Sequence, residues 1–213
     1  MITLKEAGIE IEIPEPHPTL EENAREKSGT IYQLKGMDCF SEDTGLEVEA
    51  LKGEPGVRSA RYAGENCSFE DNIDKLLKAM EGQENRRAQF RTVFSLMEQG
   101  KEIQFQGVCE GTIASHRSGQ NGFGYDPVFI PQGSSKSFGE MNAQEKNIFS
   151  HRRKAMDKLL DYLQKKYARV STSSPTVYLW CAQTINPRIP IDILAYTLPR
   201  YPKTGLPEYV DIT

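Results

Sequence analysis

Two β-rich runs flanking a short polar turn set the first constraint on this chain. Phe90 to Met97 and Glu102 to Ile113 are dense in β-branched and aromatic residues, and Gln99-Gly100-Lys101 between them carries a glycine suited to a tight reversal. The spacing predicts a long antiparallel hairpin. On its second arm Ile103, Phe105, Gly107, Cys109, Gly111 and Ile113 share one face by the two-residue period of a strand. Glycine appearing twice on that face predicts a bulge, a bend or the close approach of another backbone.

Helical patterns surround the hairpin. Thr19-Leu20-Glu21-Glu22 has the form of a capping box, Leu20, Ala24, Ile31 and Leu34 give a partial apolar stripe, and Gly36 supplies a stop. Ser68-Phe69-Glu70-Asp71 opens a second helix with Phe69, Ile73, Leu76, Leu77 and Met80 at helical spacing, a pattern of plain core packing. A third helix is predicted from about Gln144 to Gln164, with Ile148, Ala155, Met156, Leu159, Leu160 and Leu163 on its apolar side. Between the first two, Asp38-Cys39-Phe40 reads as a short buried strand and Leu46 to Leu51 as a half-buried one. That places Glu42-Asp43 at a strand-loop junction. Mixed strands and helices give an α/β class: an elongated mixed sheet with flanking helices and a long antiparallel hairpin.

A chain of 213 residues, 38% apolar and 26% charged, can bury one substantial core. Its net charge of -4 argues against a broad surface for long nucleic acid, while a local basic pocket for a small anion stays possible. Cys39, Cys67, Cys109 and Cys181 are far apart, with no CxxC spacing that would suggest zinc or a disulfide framework. Neither an apolar run of membrane-spanning length nor a secretory leader pattern is seen, so the expected location is cytoplasmic, away from membranes.

Three islands carry chemistry. Glu42 and Asp43, with Glu15 upstream, offer hard carboxylate oxygens of the kind Mg²⁺ takes, and one carboxylate could accept a proton from an attacking water. On a regular strand the neighbours Glu42 and Asp43 would point to opposite faces; a loop would let both turn inward. Gly122-Phe123-Gly124-Tyr125-Asp126 combines glycines for close backbone approach with aromatic rings that can stack on a flat base, though a plain turn between strands has the same composition. Lys146, His151 and Arg152 form a basic group that is either a solvated helix face or an anion contact. His17 and His116 have no partner at metal-ligand spacing and read as surface residues.

The stretches SEDTGLEVEALKGEPGVRSARYAGE, NGFGYDPVF and EKNIFSHRRKA resemble, in order and spacing, the HAM1 family of inosine triphosphate pyrophosphatases, over about Leu4 to Leu163. The resemblance implies an elongated α/β fold, commonly a homodimer, and Mg²⁺-dependent cleavage of ITP, dITP or XTP into the monophosphate and pyrophosphate. By the same resemblance Asp43 matches the general base and metal-associated acid, Glu15 an upstream metal carboxylate, and Thr44 a substrate contact. Glu42 stands where the family often has Asp. Phe123, Gly124, Tyr125 and Asp126 match the base and sugar loop, while Lys146, His151 and Arg152 match phosphate and base contacts.

Two departures from the family pattern are expected to matter. Its members open with a strand and loop of the form T/S-x-N-x-x-K, and this sequence begins after that point, which implies a vacant place in the sheet. At the other end, residues 167–213 have no counterpart in the family and form a proline-rich extension beyond a domain spanning residues 1–166. Within it Thr176-Val177-Tyr178-Leu179-Trp180-Cys181-Ala182 is strand-like and could fill the vacant place; an unrelated added segment explains the same residues. Three functions therefore stay open: the pyrophosphatase, a weakly active or inactive nucleotide-binding remnant, and an interaction module that uses the extension.

Overall fold

The computed structural model describes residues 2–3, 11–167 and 180–182. Strand β1 is Ile2–Thr3, helix α1 Leu20–Lys35, β2 Cys39–Val48, β3 Pro55–Gly56, α2 Phe69–Ala79, β4 Arg87–Glu98, β5 Lys101–Ile113, β6 Phe129–Pro131, α3 Ala143–Phe149, α4 His151–Tyr167 and β7 Trp180–Ala182. The expected hairpin is β4 and β5, paired from Glu98 with Lys101 to Arg87 with Thr112. Gln99 and Gly100 both take positive φ, 50° and 77°, as a two-residue turn matched to strand twist requires. Strand order is β1-β7-β2-β4-β5-β6, with β3 beside β2; the antiparallel members are β3, β2, β4, β5 and β6.

The caps follow the sequence. Thr19 accepts from the Glu22 amide at 3.2 Å and Gly36 closes α1 at φ 64°. Ser68 and Asp71 form a reciprocal capping box on α2. Leu34, by contrast, is 56% exposed and leaves the stripe early. Both hairpin glycines mark close approaches: a Cβ at Gly107 would strike the His151 carbonyl and Ala155 of α4, and one at Gly111 would strike Ile130 and Phe129 of the neighbouring strand β6. Two cores result. Leu46, Phe90, Phe129, Phe138, Ile73 and Leu76 pack at one end, and Phe40, Phe94, Leu96, Ala155, Met156 and Leu159 pack under α4.

Two sequence expectations are corrected. The region expected as two strands around a loop is one ten-residue strand, β2, paired to β4 along its whole length from Cys39 with Met97 to Val48 with Ala88. Glu42 and Asp43 therefore lie within a strand, and the continuous ladder keeps them there. The single long helix expected over 144–164 is broken at Ser150, whose ψ of 118° is not helical. Ser150 caps α4 by accepting from the Arg153 amide at 3.2 Å. Of the extension, Trp180–Ala182 lies parallel to β2 at Cys39–Ser41, with Ile2–Thr3 on its far side, so this part does take the place beside β2. Thr176, Val177, Tyr178 and Leu179 lie outside the described residues. No helix among the described residues is long and apolar enough to cross a membrane.

Candidate active site

Along its edge away from β4, β2 has only short partners. Strand β7 pairs Cys39–Ser41 and β3 pairs Leu46–Glu47, so among the described residues Glu42, Asp43, Thr44 and Gly45 have no strand on that side. The Leu46 amide is taken at 2.8 Å by Ser59 Oγ from the β3 side. By strand alternation the amides of Thr44 and Glu42 then point to the same open edge. Gly45 permits the approach of the Gly56 carbonyl, which a Cβ would meet at 2.5 Å.

One face of β2 turns to α1. There the buried Lys27 ammonium donates to Glu15 Oε1 at 2.9 Å and Asp43 Oδ1 at 3.0 Å. Arg61 holds the other Glu15 oxygen and the Glu15 carbonyl, each at 3.3 Å. Burial pushes the Asp43 carboxyl up to about 6, with the like charge of Glu15 adding and Lys27 and Asn23 opposing. Burial alone would raise Glu15 too, but Lys27 and Arg61 outweigh it and hold Glu15 below its ordinary value. Lys27 itself is raised, because Asp43 and Glu15 overcome the burial that disfavours its charge. It is an ammonium at neutral pH, facing one firmly ionised carboxylate and one that holds its proton more tightly than usual.

The opposite face turns to α4. Glu42 accepts from Arg152 Nε at 2.9 Å and 3.1 Å, both side chains nearly buried, and Thr44 Oγ1 lies 2.6 Å from Thr92 Oγ1. Lys146 is paired with Asp126 and sits 4.9 Å from the Phe123 ring centre and 5.2 Å from that of Phe138. The Arg152 guanidinium is 5.9 Å from the Phe123 ring centre. His151 stacks on Phe90 at 5.0 Å. Its Nδ1 is the one buried side-chain nitrogen or oxygen among the described residues with no hydrogen-bond partner. Burial, joined by Arg152, Lys146 and Lys154, keeps the ring well below its ordinary pKa, and the positive end of α4 acts in the same direction. A neutral imidazole with a buried, unpartnered nitrogen results. Asp126 also ties the glycine loop by accepting from the Phe123 amide at 2.8 Å. Tyr125 donates to the Ser59 carbonyl at 3.0 Å, so the turn bearing Ser59 and Arg61 links the two faces around the strand edge.

The predicted residues thus gather in two groups rather than one. Glu42, Thr44, Phe123, Tyr125, Asp126, Lys146, His151 and Arg152 belong to the α4 side; Asp43 and Glu15 belong to the α1 side. Gly124 takes φ 59° and shapes the loop. Lys27 and Arg61 were missed by the sequence reading. Lys27 had a signal, since it occupies the gap in the stripe Leu20, Ala24, Ile31, where a charge on a buried face demands a partner.

As a metal site, Glu15 and Asp43 aim two hard oxygens at one point, which suits Mg²⁺; that ion commonly takes one or two carboxylates and completes its shell with water and phosphate oxygens. The described residues contain no group of three or more His, Cys, Asp or Glu placed to hold a metal.

The Ham1 family profile matches residues 1–162. A dITP/XTP pyrophosphatase of Flavobacterium johnsoniae is 47% identical over 163 residues, spanning 76% of this chain and 85% of that protein. One of the same description from Caldanaerobacter subterraneus is 47% identical over 169 residues, spanning 78% and 84%. The solved structure of the Staphylococcus aureus Ham1 protein superposes with a TM-score of 0.71 at 41% identity, covering 73% of this chain and 82% of that one.

Proposed function

The chain belongs to the Ham1 family, and we infer that it hydrolyses non-standard purine nucleoside triphosphates such as dITP, XTP and ITP to the monophosphate and pyrophosphate. The observation that carries this reading is Asp43, a buried carboxyl raised to about 6, beside Lys27 and Glu15 on the stretch of β2 whose edge away from β4 has no strand among the described residues. A base with a raised pKa near the working pH combines adequate ionisation with useful basicity. In this reading Asp43 accepts the proton of the attacking water, and the Lys27 ammonium and the outward Thr44 amide offer donors to phosphate oxygens. Glu15 and Asp43 would hold Mg²⁺, which when bound supplies charge neutralisation to the phosphates.

Phe123, with Lys146 and Arg152 against it, offers a stacking surface for the base. His151 is neutral and its Nδ1 is buried without a partner, so a movement of the base loop that uncovered it would offer a 6-oxo purine edge an acceptor or donor fixed by the tautomer, the pattern in which that edge differs from adenine. Glu42 serves as the anchor of Arg152. The resemblance further supports a homodimer acting in the cytoplasm, and the particle mass in solution tests the former. The deciding assay is pyrophosphate release from dITP, XTP, ITP, dATP and dGTP with Mg²⁺. Release confined to the first three is expected; equal release from all five, or none from folded protein, would refute the reading.

A further inference from the structure

Lys27 is 3% exposed, and both of its hydrogen bonds among the described residues go to the carboxylates read as metal ligands, Glu15 and Asp43. A buried ammonium stripped of its carboxylates is strongly disfavoured. Arg61, at 28% exposure of its side chain, keeps its own hold on the far oxygen of Glu15 and cannot relieve it.

We propose that Lys27 is a displaceable counter-ion that couples cation loading to nucleotide binding: a divalent cation taking the Glu15 and Asp43 oxygens at the end of the bridge drives the ammonium off them, and an incoming phosphate then satisfies it. This rests on the reading of Glu15 and Asp43 as the metal carboxylates. The cation alone binds weakly, because its gain is offset by an unpaired buried charge at Lys27. The anion removes that penalty. By linkage the cation must raise the affinity for the anion by the same factor. A lysine that only braced the two carboxylates would act differently: its loss would let them separate and would weaken the cation in every state.

The test is Mn²⁺ binding, read from the free-ion resonance by electron paramagnetic resonance, with and without saturating inorganic phosphate. Wild type is compared with Lys27→Met and with Lys27→Gln, which retains a donor between the carboxylates if the methionine variant folds poorly. Without phosphate, the variants should bind Mn²⁺ about tenfold more tightly than wild type, and phosphate should help them less than it helps wild type. Unchanged or weaker Mn²⁺ binding in the variants, or equal help from phosphate in all proteins, overturns the proposal while leaving the metal site standing. Mn²⁺ binding that is absent from wild type in both conditions, or that survives in Asp43→Asn, removes the metal reading and the proposal with it.

Discussion

Asp43 and Glu42 are neighbours in sequence and sit on opposite faces of one strand, and each meets its cation in a different way. Asp43 faces α1, where one ammonium is divided between two carboxylates and burial wins, so its pKa rises to about 6. Glu42 faces α4, where Arg152 meets both of its oxygens. Glu42 thus has a guanidinium to itself, while Asp43 shares its ammonium with Glu15. Since both side chains are similarly inaccessible, what differs between them is how the neighbouring cation is shared, not how many cations there are.

The largest way to break this contrast is Asp43→Asn, which should lower kcat by about 10²- to 10⁴-fold with nucleotide affinity largely kept when it is measured without divalent cation. Steady-state rates paired with binding of a nucleotide analogue check it, and a nearly normal rate would deprive Asp43 of its role. Next in size, Glu42→Ala should destabilise the fold by about 3–5 kcal/mol by stranding the buried Arg152, with kcat falling less than tenfold from loss of chemistry. Denaturant melts beside kinetics would show it; a stable but inactive protein would make Glu42 the reactive acid instead.

The raised pKa of Asp43 sharpens the comparison through pH. Its folded-state value lies above the ordinary 3.8, so the folded chain holds that proton more tightly than the unfolded one does. The stability this contributes is complete below about 4 and is lost as pH rises through about 6. Asp43→Asn has no such loss. Its unfolding free energy relative to wild type should therefore improve by up to about 3 kcal/mol between pH 4 and 7, in metal-free buffer. A pH-independent difference would show that Lys27 neutralises Asp43 fully. Smallest of the four, Ser150→Ala should cost about 1 kcal/mol of stability by uncapping α4 and should raise KM by loosening His151 and Arg152. An unchanged melting temperature would mean that Gly107 packing alone positions the start of α4.

Much of the fold was legible because its signals are local. Caps at Thr19, Ser68 and Gly36 and the Gln99-Gly100 turn each act over a few residues, and the structure keeps them; the two face-sharing glycines showed by their spacing that something packs close, but not that it is α4 and β6. The break at Ser150 escaped because serine is tolerated inside helices as well as at caps. Lys27 escaped because Glu22, Arg25 and Glu26 around it suggest a solvated helix, although its place in the stripe argued otherwise.

By itself the sequence determined the α/β class, the hairpin, most helix starts and the residue types of the site, since hydrophobic period and capping chemistry are carried by neighbours along the chain. Only the tertiary structure decided that β2 runs unbroken through Glu42 and Asp43, that the two acids face different helices, and that Lys27 and Arg61 join them. Those outcomes depend on ladder partners more than forty residues away in β4, as in the pairing of Asp43 with Val93. A local pattern contains no term for such partners. Once the ladder forms, strand alternation leaves the two carboxylates no common side.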